Sequence, residues 1–90
     1  MAELRDAIDA LDAQLVALLA IRQSYRDRAA ILKTAREQVR DQARLGEVVS
    51  RVLAEAERCG LSPAIAEPLW LLLIERSIAH ELEAFDSRRR

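Results

Sequence analysis

A long apolar stripe without a helix breaker is the sequence feature that most constrains this chain. No Gly or Pro occurs in residues 1–45. Within that segment, apolar residues recur at steps of four and three, which is the spacing of one helix face. The pattern predicts a single helix from about residue 3 to residue 36. The residues of this stripe are Leu4, Ile8, Leu11, Leu15, Leu18, Tyr25, Ala29 and Leu32.

A second, shorter helix follows the first. Residues 36–42 lose the apolar period and are the predicted connection, although they contain no Gly or Pro. Apolar residues return on one side of the segment 43–58, which indicates a second helix. Gly60 follows it and suits the left-handed conformation that often ends a helix.

The start of a third helix is marked by two adjacent residues. Ser62 is a preferred N-cap type, and Pro63 fits the first helical position because its missing N–H needs no partner there. The helix is predicted to reach about Phe85, with Pro68 tolerated in its second turn. Residues 86–90 are expected to form a frayed tail. The fold prediction is therefore all-α, in one domain over residues 1–90.

The composition excludes several classes of protein. The formal net charge is −1, whereas a general nucleic-acid or membrane surface would show a basic excess. No apolar run approaches the roughly 20 residues of a membrane span, and the acidic N-terminus is unlike a signal segment, so a cytoplasmic protein is expected. Cys59 is the only cysteine, which excludes an intrachain disulfide and a thiolate metal cluster.

The length of the first helix predicts a homodimer. About 34 helical residues span roughly 50 Å, whereas a compact globule of this size is only about 31 Å across. Two shorter helices of the same chain cannot cover the apolar stripe along its whole length. A second copy of the chain can, so we expect an intertwined helical dimer. The alternative is a break near Ser24 that yields a monomeric bundle.

Positive charges interrupt the stripe where an apolar residue is expected. Arg22 takes the position after Leu18, and Arg26 and Lys33 follow on the same helix face. Like charges on adjacent turns repel unless an anion lies between them. An anion-binding site would explain this pattern. Alternatively, Arg22 reaches solvent or pairs with a carboxylate of the partner chain.

Polar residues also lie on or beside the apolar face of the third helix. Ser77 and Glu81 are one turn apart there, and Glu81 could pair with an interior arginine. His80 lies one position off that face and has no His or Cys partner at metal spacing. Asp41 and Arg44 border the second helix, where a surface ion pair is the default interpretation.

Three groups of residues, taken together, resemble the AroQ-class chorismate mutases over nearly the whole chain. The first group is similar to the first helix of that family, the second to its loop and second-helix start, and the third to its third helix. The groups are Leu4-Arg5, Ile8, Leu11-Asp12, Leu18-Leu19-Ala20, Arg22 and Lys33; Val39-Arg40-Asp41 and Arg44; and Leu73-Ile74-Glu75, Ser77 and Glu81.

The resemblance implies an entwined dimer with two equivalent sites, serving aromatic amino acid biosynthesis in the shikimate pathway. Each site would rearrange chorismate, a dicarboxylate, to prephenate without cofactor or metal. Arg5 of the partner chain and Arg22 would hold the two carboxylates. Lys33 and residue 81 would donate hydrogen bonds to the enolpyruvyl ether oxygen. The resemblance also assigns substrate-binding roles to Asp41, Arg44 and Ser77.

Two residues depart from the family pattern. Many of these mutases carry Gln where this chain has Glu81, and a carboxylate must be protonated before it can donate. Activity would then rise at mildly acidic pH. Leu45 stands where the mutases often have Glu, and together with Tyr25 it looks more like the related isochorismate-pyruvate lyases, which form salicylate.

Two further alternatives come from outside these enzymes. A non-catalytic helical dimerisation module explains the stripe but gives no reason for cations on inward faces. A helix-turn-helix DNA binder fits less well, because the net charge is near neutral and no short recognition helix is predicted.

Overall fold

A computed structural model describes residues 1–88 as three α-helices joined by short connections. Helix α1 spans Ala2–Ile31, α2 spans Gln42–Cys59 and α3 spans Pro63–Arg88, with one 3-10 turn at Arg36–Gln38. The prediction of an all-α chain with a long first helix is confirmed. Within these residues, none of the helices combines the length and apolarity that crossing a bilayer requires.

The end of α1 differs from the sequence prediction. We predicted a helix to residue 36, but α1 ends at Ile31. The backbone amides of Thr34 and Ala35 donate to Oε1 of Gln38 at 2.8 and 3.1 Å. A side chain thus supplies the acceptor that carbonyl oxygens of a further helical turn would have supplied. The predicted boundary is wrong by about one and a half turns.

The ends of α2 follow the sequence signals closely. The Asp41 carboxylate caps the start of α2 by accepting the backbone N–H of Arg44 at 3.1 Å. Gly60 has φ 77°, the left-handed conformation expected of it, and the amide of Leu61 donates to the carbonyl of Ala56 at 2.8 Å. A residue with a side chain would be strained at Gly60.

The predicted frayed tail is wrong for residues 86–88, and residues 89–90 lie outside the described part of the chain. Helix α3 continues to Arg88. Arg36 in the first connection donates to the carboxylate of Asp86 at 3.0 Å, and Arg88 donates to a backbone carbonyl of α1 at 3.4 Å. These contacts join the last turn of α3 to the end of α1.

The apolar core lies between α2, α3 and the first connection. Val39, Ile74 and Ile78 are each 3% exposed and form its centre. Partly buried residues of α2 and α3 pack around them: Leu45, Val48, Val49, Trp70 and Leu82. Helix α3 therefore carries the core on one side and meets α1 on another.

The apolar stripe of α1 is uncovered in the single chain. All of residues 1–21 are exposed, and Leu4, Ile8, Leu11, Leu15 and Leu18 are 55–64% exposed. The chain extends 52 Å along its longest axis and has a radius of gyration of 15.8 Å, against about 12 Å for a compact globule of this length. The first half of α1 thus extends away from the core with its apolar face exposed.

We predict that Ile78→Ala lowers the free energy of unfolding by about 2–5 kcal/mol, because it leaves a cavity at the centre of the core. Ile78→Val removes one methylene and should cost about 1 kcal/mol. Urea denaturation followed by circular dichroism at a fixed protein concentration measures both. Equal stability of Ile78→Ala and the wild type would contradict this location of the core.

Candidate functional site

Two neighbouring clefts lie along the side of α3 that faces α1. The first cleft, of about 400 Å³, lies between α1 and α3. The second, of about 360 Å³, is enclosed by the end of α1, the first connection, α2 and α3. Arg26 and Glu81 line both clefts. The remaining predicted residues divide between them, with Arg22 and Ser77 in the first cleft and Lys33, Asp41 and Arg44 in the second.

A partly buried ion pair borders both clefts. Nε of Arg26 donates to Oε1 of Glu81 at 2.7 Å, and Nη2 donates to Oε2 at 3.2 Å. The Glu81 side chain is 2% exposed, whereas that of Arg26 is 27% exposed. The guanidinium meets the carboxylate edge to edge, which is the strong bidentate geometry. This is the interior ion pair that the sequence left open as one interpretation of Glu81.

Arg22 is held by a hydroxyl group rather than by a carboxylate. Its Nη1 donates to Oγ of Ser77 at 3.0 Å, and that hydroxyl donates in turn to the backbone carbonyl of Leu73 at 2.7 Å. The serine thereby fixes the direction of the guanidinium without neutralising its charge. Helical spacing explains the arrangement, because Ser77 lies one turn before Glu81 on α3 and Arg22 lies one turn before Arg26 on α1.

The electrostatic environment of Arg22 is unfavourable to its charge. Partial burial and the nearby Arg26 guanidinium lower the pKa of Arg22 from its usual value, and Glu81 opposes this effect by attraction. The guanidinium still carries its charge at any physiological pH. An anion placed beside it would therefore offset the repulsion by Arg26 and compensate for the lost hydration.

The cations of the second cleft have different degrees of pairing. Lys33 lies two residues beyond the end of α1, and its ammonium has no ion-pair partner in residues 1–88. Arg44 pairs with Glu47 on the surface at 3.0 Å. Asp41 caps α2, so the surface ion pair expected between Asp41 and Arg44 is replaced by a backbone contact. Lys33 is thus the least compensated charge in this cleft.

The charges around the two clefts leave a positive excess. Each charged residue that lines either cleft is counted once here, with His80 neutral. The cations are Arg22, Arg26, Lys33, Arg44 and Arg76, and the carboxylates are Asp27, Asp41 and Glu81. Five cations facing three carboxylates leave two positive charges, which a dianion would balance.

Arg5 is the one predicted site residue that borders neither cleft. It lies 17 residues before Arg22 on the same straight helix, which is roughly 25 Å at 1.5 Å per residue. An arginine side chain cannot span that distance. Arg5 can act at such a site only if it comes from another copy of the chain.

Sequence reasoning missed several residues of the site. The sequence analysis placed Arg26 on the face of Arg22 without giving it a role, and the pairing of His80 with Asp27 at 3.1 Å was not foreseen. One signal could have indicated the pairing of Arg26 with Glu81. Arg22 and Arg26 are four residues apart on α1, and Ser77 and Glu81 are four residues apart on α3. Residues 1–88 contain no group of three or more His, Cys, Asp or Glu residues placed to hold a metal ion. The described groups can bind an anion and donate hydrogen bonds to it.

Comparison with known proteins gives one family. The family model described as "Chorismate mutase type II" matches residues 4–82, which is most of the chain and includes both clefts. No curated protein and no solved structure matches the chain.

Proposed function

Because this chain belongs to the type II chorismate mutase family, we propose that it rearranges chorismate to prephenate in the two adjoining clefts. The observation that carries the proposal is the excess of two positive charges around these clefts, which suits a substrate with two carboxylates. Within the part of the chain that the structure describes, Arg22 and Lys33 have no carboxylate in direct contact, so a bound dianion would stabilise their charges more than those of the other cations.

Arg22 is the proposed anchor for one carboxylate. Ser77 fixes its guanidinium in the first cleft and leaves its charge unopposed by any direct carboxylate contact. A planar guanidinium can meet a carboxylate with two parallel hydrogen bonds, which holds the group in a defined plane. Since Ser77 accepts through one Nη1 hydrogen, other N–H groups of Arg22 stay available for the substrate.

Lys33 is the proposed donor to the ether oxygen of the substrate. In the rearrangement one C–O bond of the enolpyruvyl ether breaks while one C–C bond forms, so no electron or proton enters or leaves. Negative charge develops on the ether oxygen as the C–O bond lengthens, and an ammonium group stabilises it. Asp41 and Arg44 are proposed to line the substrate in the same cleft, where Asp41 is held by its capping bond.

Fixing both carboxylates is the second proposed contribution to the rate. Free chorismate must fold its side chain over the ring before the new bond can form. Two anchored carboxylates hold that conformer and remove the entropy cost from the chemical step. A general base has no role in this reaction, which is consistent with the engagement of His80 in a surface pair with Asp27.

We propose that a second copy of the chain covers the apolar stripe of α1. Five large residues of this stripe are more than half exposed, and so large an apolar surface is unusual for a monomer. The midpoint between Leu4 and Tyr25 lies next to Leu15. A two-fold axis near Leu15 would pair two α1 helices antiparallel and bury both stripes along their length.

The same pairing accounts for Arg5. With the axis near Leu15, Arg5 of one chain lies opposite about residue 24 of the other, which is between Arg22 and Arg26. In residues 1–88 the Arg5 side chain has no ion-pair partner of its own. Arg5 of each subunit is therefore proposed to enter the partner's site and hold the second carboxylate.

Elimination of pyruvate from isochorismate is the second candidate function. Tyr25 and Leu45 both line the second cleft, so the two residues that resemble the lyases face the proposed substrate. Leu45 offers no hydrogen bond to a ring hydroxyl, whereas the glutamate common in the mutases would. The two reactions use the same anchors, so only product analysis separates them.

We predict that the wild type consumes chorismate and that Arg22→Ala and Lys33→Ala each lower kcat/KM on the order of 100-fold or more, since each removes a charged donor. Loss of chorismate absorbance measures the mutase, and salicylate fluorescence from isochorismate measures the lyase. Arg58→Ala is the matched control, because Arg58 is an exposed arginine paired with Glu55 outside both clefts. If wild type is inactive on both compounds, the proposed activity is wrong, and the chain is either a dimerisation module or an inactive homologue.

We predict that Leu15→Glu converts the dimer to a monomer, because it places two carboxylates against each other on the proposed axis. Sedimentation equilibrium measures the mass. Glu55→Gln is the control and should stay dimeric, since Glu55 lies on the exposed side of α2. A wild type that sediments as a monomer would contradict the proposed interface.

We predict that two inactive variants restore activity when their chains are mixed by refolding. A heterodimer of Arg5→Ala and Lys33→Ala has one site with both residues intact, so random pairing should recover about a quarter of the wild-type activity. Each variant refolded alone should stay inactive. Lack of recovery in a mixture shown to contain heterodimers would mean that Arg5 does not serve the partner's site.

A further inference from the structure

We propose that Arg26 contacts the substrate and donates a hydrogen bond to its ether oxygen together with Lys33, and that Glu81 is the positioning residue that holds Arg26 in place. This inference rests on the proposed function and reverses the roles that the family resemblance implies. There, residue 81 is the donor and no role is given to residue 26.

The first support is the unequal burial of the ion pair. Glu81 is 2% exposed, and both its oxygens accept from Arg26. Arg26 is 27% exposed and borders both clefts. A guanidinium has five N–H donors, and the pair uses one from Nε and one from Nη2. Three donors of Arg26 are therefore not used by the ion pair, whereas an ionised Glu81 has no donor to offer.

The second support is the position of Arg26 between the two proposed anchors. On α1 it lies one turn after Arg22, which would hold a carboxylate, and seven residues before Lys33. A substrate that reaches both Arg22 and Lys33 must pass the open edge of the Arg26 guanidinium. Lys33 would reach the ether oxygen from one end of this span, and Arg26, which lies between the two anchors, would approach the same oxygen from the side of Arg22.

The third support comes from the charge balance. Glu81 without a partner would reduce the positive excess around the clefts and leave a buried carboxylate uncompensated, which is strongly destabilising. Arg26 offsets that charge while offering its own donors. The other charged or titratable groups around Glu81 line the two clefts: Arg22, Asp27, Arg76 and His80 in the first, and Lys33, Asp41 and Arg44 in the second. Among the described residues, Arg26 alone donates a hydrogen bond to the Glu81 carboxylate.

The test compares Arg26→Lys, Glu81→Gln and the double variant Arg26→Gln/Glu81→Gln with the wild type. Each avoids an unpaired buried carboxylate, so each should fold. We expect kcat on chorismate to fall about tenfold in Arg26→Lys and on the order of 100-fold in the double variant, with smaller changes in KM, because the lost contact strengthens in the transition state. Arg58→Lys and Glu55→Gln are the matched controls, since that arginine–glutamate pair lies outside the clefts.

Glu81→Gln separates the two assignments of roles. If Glu81 positions Arg26, the amide keeps one of the two accepting oxygens and loses the charge attraction, so kcat falls at every pH between 5 and 8. If Glu81 is instead the donor and acts when protonated, wild-type kcat rises toward acidic pH and Glu81→Gln flattens the profile and equals or exceeds the wild type at neutral pH. That result, or full kcat in the double variant, overturns the proposal. His80 is present in every variant, so any contribution from it is common to all profiles.

Failure of the proposed function gives a different pattern from failure of this inference. Turnover by the wild type tests the function, and the variants test Arg26. If wild type binds chorismate in calorimetry without turning it over, the affinity for chorismate is compared among the variants in place of kcat. Weaker binding by Arg26→Lys and by the double variant supports the contact. Unchanged binding overturns it. A wild type that neither binds nor turns over chorismate overturns both proposals.

Discussion

The ion pair between Arg26 and Glu81 is the interaction on which the site depends. It joins α1 to α3 one turn after the contact of Arg22 with Ser77, and it borders both clefts. Placing two charges in a protein interior is costly, and removing one partner typically costs about 3–5 kcal/mol. A pair of apolar side chains could hold the helices together equally well. We therefore infer that the ion pair serves a polar binding site rather than the stability of the fold.

The apolar stripe and the cations are consecutive parts of one helix. Leu4 to Leu18 form the exposed apolar surface that we propose a second copy covers, and Arg22 begins the charged segment directly after it. In an antiparallel pair, the start of one α1 lies over the charged segment of the other. The proposed pairing would close the site with apolar residues, which would lower the local dielectric constant and strengthen each charge interaction inside. Dimer formation and the strength of the charge interactions in the site would thus both depend on the apolar stripe of α1.

Much of this structure was predictable from the sequence because its signals are local. Gly60 and Pro63 mark helix ends through backbone conformation alone, and the four- and three-residue steps of α1 define a face whatever covers it. The end of α1 was not predictable in this way, since the Gln38 side chain captures two amides that could have continued the helix. The side taken by Arg26 was also hidden, because it depends on Glu81, 55 residues further along the chain.

Glu81 and Arg26 are best understood together. Considered alone, a glutamate in the position of a neutral donor weakens an anion site, because it adds a negative charge and cannot donate when ionised. An additional arginine without a partner would repel Arg22 electrostatically, and Arg26 does lower the pKa of Arg22 in part. As a pair they contribute no net charge, so the excess of two positive charges is carried by the other residues around the clefts. A departure from the family pattern at residue 81 then need not mean loss of the reaction, because the donor can lie on the opposite helix.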